Sequence, residues 1–415
     1  MRAAHKPWWS QARSFAGGSA ALVLAAIPGP CCTFDDLAAP QKGAPADAAS
    51  MEEADVSLVL DANDGSTEEE GGDAGCDGCS ACATGTEDCD KEPGNGCETN
   101  ILADPANCGA CKRSCLGSAC NSGHCEPVVL ASGEDQALGI AVDDTHVYWG
   151  TSTALGTVKR IPKQGGTPET IASGQDHPFG IAVDAESVFW ANYAPESYLH
   201  KISKGASTDG GLATALIGLQ EMPQLVILDE DHVYWTLPGA VRRLRKNGED
   251  LESLAHDQAS TGGIALDLSG LYWARPLANR IMHLSLGADA SPTVFLELGC
   301  QPGGIALDYG NVYFTRSVCA AEDQAVMSIA KANMKEPLLI AGKQGGPLGI
   351  VVDDLHVYWT NNASQQVMKA PKFPSAGAAP TVLASGQAGA IGIAVDSSFV
   401  YWTNQTGGQV MKVAK

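Results

Sequence analysis

The sequence is short of positive charge: 26 lysines and arginines stand against 48 aspartates and glutamates, for a formal charge of −22. A surface of that sign repels a phosphate backbone, which excludes nucleic-acid binding as a primary role. Long hydrophobic runs are missing as well. The most extended apolar stretch, residues 16–27, is too short to cross a bilayer as a permanent helix. No GxSxG elbow, HExxH helix, Walker loop or dinucleotide fingerprint occurs, so no reaction class and no cofactor can be read from spacing. The Gly165-Gly166 pair suits a hairpin turn. What the chain does have is 47 glycines among only 18% charged residues, the composition of a turn-rich globular protein with room for two or three domains.

Charge and cysteine are both unevenly placed. Residues 35–75 hold twelve acidic side chains and a single lysine, Lys42, with almost no apolar clusters. Such a segment cannot bury enough surface to offset its ordering entropy, so residues 33–75 are expected to form a disordered, self-repelling acidic linker. Within it, Asp61 to Gly65 has calcium-loop residues, but the glycine comes one position too early for an EF-hand. Before the linker, Arg2, Lys6 and Arg13 precede the apolar run, which makes residues 1–32 a signal peptide and the protein an exported one. The stretch from Leu24 to Cys31 resembles a bacterial lipoprotein signal, with Pro30 where that pattern has a small residue. The resemblance implies lipid attachment at Cys31 and a membrane anchor; the alternative is cleavage near Ala25-Ala26 and simple secretion.

Ten of the fourteen cysteines crowd into residues 76–125: Cys76, Cys79, Cys82, Cys89, Cys97, Cys108, Cys111, Cys115, Cys120 and Cys125. The CxxC pairs are compatible with zinc, yet His124 is the one histidine nearby. Ten cysteines in an exported module of this size are better read as five disulfides replacing a core too small to stand alone. The run from Asp104 to Cys111, followed by Cys120-x4-Cys125, resembles cysteine-rich repeats of the stigma-specific-protein type, which implies an extracellular setting and no catalysis.

From residue 126 onward the chain repeats. A small apolar strand ends in an aspartate seven times, at Asp143, Asp184, Asp229, Asp267, Asp308, Asp353 and Asp396, with separations of 41, 45, 38, 41, 45 and 43 residues. Each aspartate is followed by a strand ending in an aromatic pair, from Tyr148-Trp149 to Tyr401-Trp402, and six of the eight tryptophans occupy that one position. A period of about 40–45 with four short strands per unit predicts an all-β fold, a seven-bladed β-propeller over residues 126–415. The last unit stops after three strands, while Pro127 to Ala131 matches the fourth-strand sequence Pro380 to Ala384. The N-terminal strand is therefore expected to close the last blade. The aspartates read as turn residues, and His146, His232 and His356, which share one repeat position, read as scaffold. The basic run Arg242, Arg243, Arg245 and Lys246 reads as a solvated strand of blade three.

Val357 to Asn361 and Gly392 to Asp396 carry a resemblance to the YWTD (class B) propellers of low-density-lipoprotein-type receptors, over about 70% of the chain. That family has six blades and an aspartate after Trp-Thr. Here there are seven units, and the position holds Thr151, Asn192, Leu237, Arg275, Arg316, Asn361 and Asn404.

The face formed by the second-to-third-strand loops and the inter-blade connections, here the top face, is where the units disagree. Arg275 and Arg316 fall on neighbouring blades and suit a carboxylate or phosphate clamp. His177, Asn192, Tyr193 and Tyr198 add a polar and aromatic surface around blade two, with Asn361 and Asn404 on the same ring. Cys300 and Cys319 are expected to form a disulfide pinning the loop beside Arg316. Together these features predict a monomeric exported or surface-anchored binding protein whose top face takes a protein or glycan ligand. The competing class is an enzyme, a lyase or hydrolase working near the central channel.

Overall fold

The computed structural model describes residues 82–92, 95–205, 213–258, 260–287, 290–332, 336–375 and 377–415. The expected signal segment with Cys31, the expected linker with Asp61 to Gly65, and Cys76 and Cys79 lie outside them. Seven antiparallel sheets of four strands follow one another along the chain. Blade one runs Ala137–Val142, His146–Thr151, Gly156–Pro162 and Glu169–Gln175; blade two begins at Pro178–Val183, and blade three at the short strand Val226–Leu228. Blade seven takes Ala390–Val395, Phe399–Asn404 and Gln409–Ala414 from the C-terminus and Val128–Ser132 from the start of the repeats. The register across that join pairs Val410 with Ala131 and Met411 with Val129. The ring is thus closed by a strand from the other end of the chain.

Close approach at the axis dictates the glycines that open the repeats. A Cβ on Gly139 would overlap the carbonyl oxygen of Phe179, one on Gly349 that of Ile391, and one on Gly392 that of Leu138. The innermost strand of each of these blades touches the next blade's backbone, and only a residue without a side chain fits. Farther out the gap widens and the large aromatics fill it: Trp149, Trp190, Trp235, Trp273, Trp359 and Trp402 are all fully buried.

The turn aspartates do more than shape their turns. Asp308 accepts the amide N–H groups of Gly310 and Asn311 and the hydroxyl of Tyr313. Its Oδ2 also meets Lys372 Nζ of blade six at 2.8 Å. The same reach to the preceding blade recurs at Lys204–Asp143, Lys246–Asp184, Lys331–Asp267 and Lys415–Asp353, and Lys163–Asp396 carries it across the ring join. Six of the seven blade boundaries therefore carry a lysine–aspartate pair on the face opposite the top. At the seventh, between blades three and four, the ladder register places Leu286 where the lysine belongs, and Asp229 has no lysine partner. That boundary also has Leu225 in the glycine position.

Restoring the missing pair should stabilise the ring. Leu286→Lys is expected to add about 1 kcal/mol and raise the melting temperature by about 2 °C. A scanning-calorimetry trace that is unchanged or lowered would contradict this account of the boundary.

Four disulfides, Cys82–Cys97, Cys89–Cys111, Cys108–Cys120 and Cys115–Cys125, staple the module before the propeller. They place the protein in an oxidising compartment. The module is not held at a distance from the ring. Its buried Cys108, Cys115 and Cys125 pack in one cluster with Leu383, Met411 and Val413 of blades six and seven. The staples supply a hard apolar surface, and the outer strand of blade six and the third strand of blade seven pack against it.

Candidate functional site

The strands position the top-face candidates unequally. Asn192, Asn361 and Asn404 end the second strands of blades two, six and seven and are buried. Asn361 Nδ2 donates to Gln344 Oε1 at 2.9 Å, and the same oxygen accepts Trp359 Nε1 at 3.0 Å. Gln387 serves Trp402 and Asn404 in the same way, and Gln175 serves Trp190 and Asn192. The Nδ2 groups are thus committed to the scaffold, because a buried indole N–H requires an acceptor and the glutamine that supplies it requires orientation, while the Oδ1 atoms of all three are buried without a partner.

The acceptor sits fifteen residues before each tryptophan. In blade one it is Glu134, which takes Trp149 Nε1 at 3.0 Å and pairs with Lys159 at 2.8 Å. In blade four it is Gln258, bonded to Trp273. In blade five the aromatic is Phe314, which has no N–H, and the position fifteen residues earlier is Gly299. In blade three Gln220 Oε1 accepts Arg242 Nη1 instead, and Trp235 Nε1 has no partner. The rest of that basic run is also committed: Arg243 to Glu252, Arg245 to Asp250 and Lys246 to Asp184.

Cys300 and Cys319 are free thiols, so the expected disulfide is absent. The ladder sets Gln301 against Val318, which brings the two cysteines to facing positions at the strand ends. The Cys300 sulfur is instead occupied by Arg316, whose Nη2 donates to it at 3.1 Å. Burial and the neighbouring Cys300 push the Cys319 thiol up to about 12. It is therefore protonated and a poor nucleophile at neutral pH.

Arg275 ends the second strand of blade four, and Arg316 holds the equivalent position in blade five, two residues before that strand ends at Val318. Arg275 donates from Nε to the Gln258 carbonyl at 2.9 Å and from Nη2 to the Asp257 carbonyl at 3.3 Å. Arg316 has only the thiol, and its buried Nε has no partner. Neither pairs with a carboxylate, whereas Arg160, Arg243, Arg245 and Arg280 each do. Around blade two, His177 lies in the left-handed region at φ 53°, with its Nδ1 2.7 Å from Asp176. The Tyr193 and Phe179 rings beside it are 5.5 Å apart. Tyr198 is exposed at the start of the third strand, with its ring 5.7 Å from that of His200.

Apart from Cys319, the strongly shifted ionisable groups are aspartates and tyrosines of the opposite face. Burial would raise the Asp143 and Asp353 carboxyls, yet Lys204 and Lys415, with the turn amides and tyrosine hydroxyls, drive both well below the usual carboxylate range. Burial and Asp229 together push Tyr234 up to about 12. These shifts belong to the scaffold pairs described above.

No known family's sequence pattern matches the chain, and no curated protein matches it. Solved structures do. Virginiamycin B lyase from Staphylococcus aureus superposes with a TM-score of 0.55 at 12% identity, over 70% of this chain and 98% of that one. A catalytically inactive variant of the same lyase, with quinupristin, gives 0.57 at 13%, over the same shares. The WD40 β-propeller domain of Doa1 gives 0.56 at 12%, over 70% and 97%. At such identities the likeness is one of fold: the chain is a β-propeller.

Proposed function

We propose that the protein is an exported binding protein whose propeller recognises an anionic group of a protein or glycan ligand on its top face. The observation that carries this reading is the pair Arg275 and Arg316, two guanidinium groups at one repeat position in adjacent blades, each without a carboxylate partner. In a chain of formal charge −22 an arginine finds acidic partners readily, so two left without one at a loop-bearing face are available to an incoming carboxylate, sulfate or phosphate. The blade-two corner of His177, Phe179 and Tyr193 adds an aromatic surface of the kind that packs against sugars and peptide side chains. The four disulfides and the exported setting fit a rigid module displayed outside the cell, and the resemblance to YWTD propellers fits a ligand-binding role. The strongly shifted group beside Arg316 is the Cys319 thiol, held protonated, and not a carboxylate acid–base pair, which favours binding over the lyase or hydrolase reading.

The test is capture on glycan and protein arrays by the intact chain, compared with Arg275→Ala/Arg316→Ala. Loss of two charge-assisted contacts should weaken binding of an anionic ligand by at least about tenfold. Undiminished capture by the double variant would refute the clamp.

A further inference from the structure

The face opposite the top is divided in a way that the closed ring does not require. Its tips are the turns after the seven aspartates and the turns after the third strands. On blades four, five and six these tips carry large apolar side chains in the open: Leu268 is 102% exposed, Tyr309 96%, Leu355 71% and Phe373 71%. On blades one, two and three the corresponding tips carry exposed Asp144, Glu186, Glu230 and Asp231. The large apolar tips gather on blades four to six, with Leu251 of blade three 49% exposed beside them, and the acidic tips gather on blades one to three, with Asp354 of blade six next to Leu355. Scattered exposed hydrophobics need no explanation, but several gathered on one arc of one face mark an interaction surface.

The surface also has a recess. A cleft of about 470 Å³ lies between the third and outer strands of blade five and Phe373 of blade six, with Glu336, Asn311 and Ser328 in its lining. An aromatic ring at the mouth and a carboxylate in the wall suit a lysine or arginine side chain. The lysines nearby do not fill that role, because Lys331 and Lys372 are committed to Asp267 and Asp308.

We infer that this face docks a cationic amphipathic segment of a partner protein, apolar groups on blades four to six and positive groups toward the Glu336 cleft and the acidic arc. An anionic bilayer does not fit, since the acidic arc would face a surface of its own sign. Nor does a second copy, which would bring one acidic arc against another or leave it uncovered. The surface lies opposite Arg275 and Arg316, so it is independent of the proposed top-face function.

The experiment is a fluorescence titration of the intact protein, at physiological salt, with a short amphipathic peptide of leucine and lysine and with its leucine–glutamate counterpart. The lysine peptide should bind and the glutamate peptide should not. The quadruple variant Leu268→Ser/Tyr309→Ser/Leu355→Ser/Phe373→Ser should lose at least about tenfold in affinity, and Glu336→Gln a smaller factor. All four apolar sites are solvent-exposed, so the variant should keep its melting temperature. Equal binding by wild type and quadruple variant would reduce the effect to general attraction by an acidic protein and overturn the inference. Capture by anionic vesicles, or self-association abolished by the same four changes, would also overturn it in favour of a lipid or a second copy.

Discussion

A chain lacking residues 126–134 is expected to melt about 10 °C or more below the intact protein. The segment supplies the outer strand of blade seven, and its Leu130 and Ala131 are buried in a cluster with Trp149, Tyr401 and Val410. Removing a buried leucine alone costs about 3 kcal/mol. The deletion also removes Glu134, which leaves the fully buried Trp149 Nε1 without an acceptor and Lys159 without its partner, a further cost of about 2 kcal/mol. For a propeller of this size, about 5 kcal/mol corresponds to roughly 10 °C. Closing the ring itself costs about 5 kcal/mol in loop entropy, which the shared sheet must offset. The loss should appear as a lower midpoint in thermal unfolding followed by circular dichroism. Glu134→Leu in the intact chain isolates the joint share of Trp149 and Lys159 and should cost about 2 kcal/mol. Coincident melting curves for the deletion and the full chain would show that the join does not carry the ring.

Most of the architecture was legible in the sequence because a propeller states its plan seven times. A strand too small to be anything but innermost, an aspartate at a turn and an aromatic pair recur at a spacing no other fold produces. The missing fourth strand in the last unit even disclosed the closure. The roles of individual positions were less legible. Asn361 and Asn404 vary within the ring, and variation at a loop-proximal position resembles a binding surface. What decided their fate was a glutamine fifteen residues before the tryptophan, in the preceding inter-blade connection. The fixed spacing to Trp190, Trp273, Trp359 and Trp402, with Gly299 opposite Phe314, was a readable signal, because an indole N–H without water must find an acceptor. The lysine that reaches each preceding aspartate was equally periodic, at the residue just after the third strand. Its role is not evident from the sequence, because its partner is a neighbour in space but lies, for Lys372 and Asp308, 64 positions away. The Cys300–Cys319 expectation met a different obstacle. Facing positions followed from topology, but the two thiols stay reduced, with Arg316 bonded to Cys300, and that contact could not be read from spacing.

Acid should unfold the propeller over a narrow range. The turn carboxyls are depressed in the folded state, so their contribution is fully present above the unfolded value near 4 and is lost as pH falls through the folded values. For Asp308, burial acts to raise the carboxyl, but Lys372, the Tyr313 hydroxyl and the turn amides of Gly310 and Asn311 hold it down at about 2. The window therefore runs from about pH 4 to about pH 2. Asp143, Asp184, Asp267, Asp353 and Asp396 shift in the same direction, each with a lysine from the following blade among the causes. These side chains are a quarter exposed or less, which limits solvent screening. At about 1 kcal/mol each after screening, protonating the six paired carboxyls removes roughly 6 kcal/mol, much of a typical domain's stability. The melting temperature should be nearly level from pH 8 to pH 5 and fall steeply below pH 4. Lys372→Met removes one of the pairs and should lower the plateau by about 1 kcal/mol while making the acid limb shallower, because Asp308 then has less depression to lose. A melting temperature that stays level to pH 2 would mean that the lysine–aspartate pairs do not hold the blades together. The ring would then owe its cohesion to the buried aromatics and the closing strand alone.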